Sequence, residues 1–214
     1  MNLLCGVLGV IASLNGRLEL GFELMILAAV FDFCDGLAAR LLKAYSEIGK
    51  ELDSLADDVS FGVLPAVMLY QISGTDIWIL KYLPLVLAAF SALRLAKFNL
   101  DERQTSSFIG LPTPANALFW SALAYSLQET EVFAEAWFPV VVTLGIFLSC
   151  WLLVAEIPMF ALKFKTFAFR PNMLRYGFIL FSLVMLGLLG FGGFSAIIVC
   201  YVICSLVNNK WGNS

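Results

Sequence analysis

The sequence predicts an all-α protein, a polytopic bundle of about eight transmembrane helices that forms a single domain over residues 1–214. Of its residues, 61% are hydrophobic and only 14% are charged, and its mean hydropathy is +0.90. Soluble domains are about half apolar and a quarter charged. Apolar runs of about 20 residues, long enough to cross a hydrocarbon core of about 30 Å, recur almost from end to end. Because backbone polar groups in lipid need internal partners, these runs should be helices.

Polar breaks divide the chain into eight apolar segments. Gly, Asn, Pro or charged residues interrupt the pattern at positions 15–16, 73–74, 105–107, 170–172 and 192–193. The predicted helices run over residues 2–14, 20–44, 47–72, 77–100, 112–127, 136–162, 176–189 and 194–207.

The basic residues predict an orientation. If successive loops alternate between the two sides, eleven basic residues lie on one side, and only Arg17 and Lys81 lie on the other. The positive-inside rule then places the first side, with both termini, in the cytoplasm. The eleven residues are Arg40, Lys43, Lys50, Arg94, Lys97, Arg103, Lys163, Lys165, Arg170, Arg175 and Lys210.

The chain contains no histidine. This removes the commonest general base and the commonest transition-metal ligand, so acid–base or metal chemistry must rest on carboxylates. The composition points to the lipid bilayer as the main partner, and we expect no nucleic-acid partner.

Four aspartates are spaced to converge between the second and third helices. Asp32 and Asp35 are three residues apart on the second helix, and Asp53 and Asp57 are four residues apart on the third, so each pair shares a helix face. If the chain reverses at residues 44–45, the helices run antiparallel and the two acidic faces meet. Asp58 breaks the second face, and we interpret it as a residue that caps or bonds locally.

Four converging carboxylates repel one another, so either several are protonated or cations lie among them. Oxygen ligands favour a hard ion, and four carboxylates can hold two divalent ions about 4 Å apart. Gly36 and Gly49 leave room for a ligand to approach the backbone, and Arg40 offers a fork suited to phosphate. The alternative is a structural role, with the acids paired to Lys43 or Lys50. Because charges inside spanning helices are costly, we favour a functional site.

The stretch from Asp32 to Asp57 follows the spacing D-x2-D-G-x2-A-R-x8-G-x3-D-x3-D and resembles the signature of CDP-alcohol phosphotransferases. The chain matches it at Asp32, Asp35, Gly36, Ala39, Arg40, Gly49, Asp53 and Asp57. The resemblance implies the helical-bundle fold of that family, a homodimer, and two Mg²⁺ or Mn²⁺ ions at the aspartates. It also implies that Gly36, Ala39 and Arg40 contact the CDP group.

Two further stretches concern the acceptor alcohol. Residues 94–99 (RLAKFN) and 108–115 (FIGLPTPA) resemble the membrane-embedded phosphatidylserine synthases of bacteria and archaea, as does the opening NLLCG at residues 2–6. This resemblance implies CDP-diacylglycerol and L-serine as substrates, and a prokaryotic cytoplasmic membrane as the location. Serine needs a cation for its carboxylate, and Arg94 or Lys97 could supply it, with Asn99 as a further polar contact. An ordinary positive-inside role for Arg94 and Lys97, and a capping role for Asn99, remain alternatives.

The predicted reaction is a direct displacement. The serine hydroxyl attacks the lipid-linked phosphorus, CMP leaves, Asp57 takes the proton and Arg40 holds the diphosphate. Glycerol phosphate, an inositol phosphate or another amino alcohol are alternative acceptors. A cation-coupled transporter is the alternative outside this class, but transporters place their sites in broken helices of repeated halves, whereas these acids lie in one hairpin.

Overall fold

In the computed structural model the described residues are 1–43, 46–73, 75, 77–101, 108–128, 130, 135, 137–159 and 172–212. Within these ranges the chain forms eight helical segments and one short pair of strands. The helices are α1 (Asn2–Leu14), α2 (Leu18–Leu42), α3 (Glu47–Ile72), α4 (Trp78–Leu100), α5 (Thr113–Leu127), α6 (Phe138–Val154), α7 (Met173–Leu189) and α8 (Gly193–Gly212). The strands are β1 (Phe108–Ile109) and β2 (Pro158–Met159), which pair antiparallel.

The predicted all-α membrane bundle is confirmed, and the bounds of α1 and α3 are those expected from the apolar runs. The predicted sixth helix, 136–162, was too long: α6 ends at Val154, and the chain is extended from Ala155. Pro158 disfavours helix at the residue before it, and β2 instead pairs with β1. The predicted reversal at 44–45 and the breaks at 105–107 and 170–171 lie outside the described residues, as do Arg103, Lys163, Lys165 and Arg170.

Two of the long helices change their winding next to a proline. In α3 the segment Asp58–Val63 is π-helical and is followed by Pro65 near the start of the next α-helical stretch. In α4 a 3₁₀ turn at Leu83–Leu85 contains Pro84. Because proline has no N–H to donate to the preceding turn, the α-helical ladder is already interrupted at both places. The π segment begins directly after Asp57 and therefore changes which way the following side chains face.

Helices α7 and α8 form an antiparallel hairpin, as the predicted break at 192–193 required. Gly190 has φ +55° in the 3₁₀ turn Gly190–Gly192, a conformation that favours glycine. The rings of Phe178 and Tyr201, far from the turn, are 6.1 Å apart, so the two helices stay in contact along their length.

The buried core lies among α1 to α6, with Phe22, Phe61, Leu64 and Trp120 among its largest fully buried side chains. Among the described residues, Glu47–Ile72, Trp78–Leu100 and the Met173–Asn209 hairpin are long and apolar enough to span a membrane, and α1 and α6 are shorter apolar helices. The outer helices expose many large apolar side chains, as expected of a protein in lipid. The chain is an integral membrane protein.

Candidate active site

The acidic faces of α2 and α3 meet at one place. Carboxylate oxygens of Asp32, Asp35 and Asp53 lie within 4.8 Å of one another. The Asp57 carboxyl lies within hydrogen-bonding reach of that of Asp32. Asp32 and Asp57 are partly buried, whereas Asp35 and Asp53 are exposed. The structure therefore brings together all four aspartates that the sequence singles out.

Local structure at the hairpin explains this convergence. Lys43 at the end of α2 adopts the left-handed conformation (φ 50°, ψ 34°), which ends the helix. Ser46 then caps α3, and its side chain accepts a hydrogen bond from the backbone N–H of Gly49 at 3.0 Å. The end of α2 at Leu42 and the start of α3 at Glu47 leave the i,i+3 pair of α2 and the i,i+4 pair of α3 close together.

The four aspartates suit a divalent cation. Arg94 lies close enough to Asp57 for their charges to interact, but one cation does not offset the charge of four carboxylates. Lys50, one of the two pairing partners considered above, donates instead to the backbone oxygen of Asn99 at 3.0 Å. An all-oxygen donor set of this size is that preferred by Mg²⁺ or Mn²⁺. The residues present fit such an ion.

A groove of about 620 Å³ opens beside the acids. The four residues expected at the CDP group, Gly36, Ala39, Arg40 and Gly49, all line it. A Cβ built on Gly36 would meet only Arg40 Nη2, at 3.7 Å, so the groove reaches the backbone of α2 there. The Arg40 Nε donates to the Gly36 carbonyl at 3.1 Å, which aims the rest of the guanidinium along the groove. The remaining lining residues are Met1, Asn2, Leu3, Asp35, Ser46, Lys50, Leu52, Asp53 and Ala56.

Of the three residues expected at serine, Arg94 and Lys97 share a cavity, whereas Asn99 lies elsewhere. Arg94 is buried, lies close enough to Asp57 for their charges to interact, and stacks over the Phe98 ring at 5.2 Å. Arg94 and Lys97 both line a second cavity of about 320 Å³. Lys97 donates to the Val154 carbonyl at 3.2 Å.

Asn99 is not among the described residues that line either cavity. Its side chain donates to Ser54 Oγ at 2.9 Å and so joins the end of α4 to α3. The geometry therefore favours a structural role for Asn99 over contact with substrate.

Sequence reasoning missed Asn2 as part of the site. The buried Asn2 side chain donates from Nδ2 to Asp57 Oδ1 at 2.9 Å, and its backbone oxygen accepts a hydrogen bond from Ser60 at 3.2 Å. These bonds join the start of α1 to the acidic end of α3. An asparagine at the start of a helix looks like an ordinary capping residue, and its contact with Asp57, 55 positions away, has no local signal.

The helical membrane fold holds four clustered carboxylates that suit a divalent cation, beside a groove of about 620 Å³. The sequence model of the CDP-alcohol phosphatidyltransferase family matches residues 1–151, and the chain belongs to that family.

Several curated relatives are similar to this chain. A CDP-diacylglycerol–serine O-phosphatidyltransferase of Mycobacterium tuberculosis (strain H37Rv) is 36% identical over 174 residues, which cover 74% of this chain and 58% of the relative. The enzyme of that name from Bacillus subtilis is 36% identical over 114 residues, covering 53% of this chain and 64% of the relative. The archaetidylserine synthase of Methanothermobacter thermautotrophicus is 36% identical over 122 residues, which cover 55% of this chain and 52% of the relative. The matches therefore span between about half and two thirds of the length of these relatives.

Proposed function

We propose that the chain is a phosphatidylserine synthase, which transfers the phosphatidyl group of CDP-diacylglycerol to the hydroxyl of L-serine and releases CMP. The observation that carries the proposal is the convergence of Asp32, Asp35, Asp53 and Asp57 beside a groove lined by Gly36, Ala39 and Arg40. Family membership supports transfer from a CDP-linked donor, and the names of the relatives support serine as acceptor.

The groove residues would bind the donor. Arg40 presents planar N–H groups to the diphosphate, and Gly36 lets the nucleotide side of the donor approach the backbone of α2. We propose that the four aspartates hold two Mg²⁺ or Mn²⁺ ions, which when bound supply positive charge against the diphosphate oxygens. Donor and acidic site then occupy one continuous groove.

Asp57 would act as the general base. It takes the proton of the serine hydroxyl as the new bond forms between the serine oxygen and the lipid-linked phosphorus. The bond from that phosphorus to the oxygen it shares with CMP breaks, and CMP leaves with the electron pair. Asn2 holds Asp57 Oδ1 by its 2.9 Å bond, which leaves the other oxygen to face the acceptor. Asn2 is therefore a positioning residue in this scheme.

Arg94 would recognise the serine carboxylate. It is a buried cation close enough to Asp57 for their charges to interact, and it also lines the 320 Å³ cavity. Lys97 lines the same cavity and would attract the acceptor's carboxylate. We also propose a homodimer, a single catalytic domain and a site that faces the cytoplasm. The family resemblance implies the homodimer, and the basic loop residues indicate that the site faces the cytoplasm.

The test is an assay of CMP release by the purified chain in mixed micelles with CDP-diacylglycerol and Mg²⁺. L-serine is expected to support release, and phosphatidylserine is expected to accumulate in equal amount. Preference for glycerol 3-phosphate or an inositol phosphate would replace the acceptor but keep the family chemistry. Absence of CMP release with any alcohol would contradict the proposal and favour the transporter alternative.

A further inference from the structure

A layer of buried polar side chains lies next to Asp57, between α3, α4 and α5. Its members are Asp58, Ser91, Arg94 and Asn116. Ser91, Arg94 and Asn116 are more than nine-tenths buried, with exposed fractions of 0%, 7% and 1%. Among the described residues, five of their polar atoms have no hydrogen-bond partner, namely Asp58 Oδ1, Ser91 Oγ, Arg94 Nη2 and both polar atoms of the Asn116 amide. Native proteins rarely leave so many buried polar atoms unpaired in one place.

The geometry places these atoms together. Arg94 Nη1 donates to Thr113 Oγ1 at 3.4 Å, which sets the level at which α4 and α5 cross. Successive spanning helices run in opposite directions, so we expect Ser91, one turn before Arg94, to lie near the level of Asn116, one turn after Thr113.

Gly62 brings Asp58 into the same layer. A Cβ built on Gly62 would lie 2.6 Å from Asp58 Oδ1 and 2.9 Å from the Ser91 Cβ, so both side chains border the same point on α3. Asp58 Oδ1 has no hydrogen-bond partner among the described residues, so the local bond expected for Asp58 does not involve that oxygen. The π-helical winding that starts at Asp58 turns its side chain toward α4, while Asp57 faces α1 and α2.

The unpaired atoms match an amino acid in their hydrogen-bonding chemistry. Asp58 Oδ1 and Asn116 Oδ1 accept hydrogen bonds, as an ammonium group requires. Arg94 Nη2 and Asn116 Nδ2 donate, as a carboxylate requires, and the Ser91 hydroxyl can do either. A phosphorylated acceptor would meet the Asp58 carboxylate without an ammonium to offset the repulsion.

We propose that Asp58, Ser91 and Asn116, together with Arg94, form the pocket that holds the ammonium and carboxylate groups of the acceptor. This inference rests on the proposed function and adds residues that determine the choice of acceptor. The ammonium lies against Asp58 and Asn116 Oδ1, and the carboxylate lies against Arg94 Nη2 and Asn116 Nδ2. The acceptor hydroxyl then reaches Asp57 past Arg94, which lies close enough to Asp57 for their charges to interact.

The experiment compares three primary alcohols in the CMP-release assay: L-serine, ethanolamine, which lacks the carboxylate, and 3-hydroxypropionate, which lacks the ammonium. The native chain is expected to use serine at least tenfold better than either analogue, by kcat/KM. In Asp58→Asn the KM for serine should rise on the order of tenfold to a hundredfold, the range for loss of a charge-assisted hydrogen bond. The rate with 3-hydroxypropionate should not fall, because that acceptor has no ammonium to lose its partner.

Asn116→Ala should raise the KM for all three acceptors, most strongly for serine, and leave the KM for CDP-diacylglycerol unchanged. Ser121→Ala is the matched control. Ser121 is also on α5, is fully buried and has an unpaired Oγ, but it lies five residues further along and on another face of the helix. It should leave the KM for serine unchanged. Thermal unfolding of each variant in detergent checks that it folds.

The outcomes separate the two proposals. If serine is a poor acceptor for the native chain, the proposed function fails. If serine is the preferred acceptor but folded Asp58→Asn and Asn116→Ala keep the native KM for it, the layer holds ordered water only and the inference is overturned. Should either variant not fold, the native comparison still decides, because equal use of serine and 3-hydroxypropionate would show that no group receives the ammonium.

Discussion

The hydrogen bond from Asn2 to Asp57 makes a prediction that depends on the structure and not on the family motif. Replacing Asn2 with Ala removes the donor 2.9 Å from Asp57 Oδ1 and leaves the backbone bond from Ser60 to residue 2 intact. A hydrogen bond to a charged group contributes about 1.5–3 kcal/mol. If that bond orients the base in the transition state, its loss should lower kcat about 10- to 150-fold, at about 1.4 kcal/mol per factor of ten.

The assay is steady-state CMP release with serine and CDP-diacylglycerol varied in turn. The expected signature is a fall in kcat with little change in either KM, accompanied by a higher Mg²⁺ concentration at half-maximal rate, because a freely rotating Asp57 is a poorer ligand. Asn2→Asp should lose more activity than Asn2→Ala, since it places a fifth carboxylate against Asp57.

Asn15→Ala is the matched control for this prediction. Asn15 ends the same helix, and its side chain donates to the Ile11 carbonyl at 2.8 Å, away from the acidic site. Its removal should weaken the end of α1 slightly and leave kcat unchanged. Native kcat in a folded Asn2→Ala variant, or an equal loss in both variants, would refute the assignment of Asn2 as a positioning residue.

Three further predictions concern the site directly. Activity should vanish in EDTA and return with Mg²⁺ or Mn²⁺, as measured by CMP release; full activity after exhaustive chelation would exclude the metal role. Asp57→Asn should lower kcat by 10²–10⁴-fold or more, while part of the CDP-lipid binding seen with Mg²⁺ remains. Asp53→Asn should weaken metal binding and turnover together. Near-native turnover in Asp57→Asn would show that another group is the base. Arg94→Ala should raise the KM for serine on the order of tenfold to a hundredfold, with Arg94→Lys recovering only part, and should affect ethanolamine little; equal losses for both acceptors would assign Arg94 to the fold.

The sequence predicts those parts of the molecule that depend on local pattern. Apolar runs bounded by polar residues gave the bounds of α1 and α3, because a membrane helix is defined by its own composition. The convergence of the aspartates was also predictable, since helical spacing fixes which side chains share a face and a short turn fixes how two faces meet. The end of α6 was missed because β2 pairs with Phe108–Ile109, about 50 residues earlier, and such pairing leaves no local signal.

The polar groups around the aspartates could not be predicted for a related reason. Asn2, Ser91 and Asn116 lie on three different helices and reach the site only through tertiary packing. Each is an unremarkable residue in its own segment, in which a buried serine or asparagine commonly bonds to its own helix. The direction of the Asp58 side chain was not predictable either, because the π-helical turn after Asp57 shifts the helix faces, and a regular 3.6-residue period does not include that shift.

The proposed function and the role of Asp57 are tested most directly by one measurement in proteoliposomes containing Mg²⁺. The purified native chain and Asp57→Asn are each given CDP-diacylglycerol and radiolabelled L-serine, and the phosphatidylserine formed is measured. The native chain is expected to form labelled lipid and CMP in equal amounts, and the Asp57→Asn variant at least a hundredfold less of both. Native-level product from the Asp57→Asn variant would contradict the role of Asp57, and no labelled lipid from a folded native chain would contradict the proposed function.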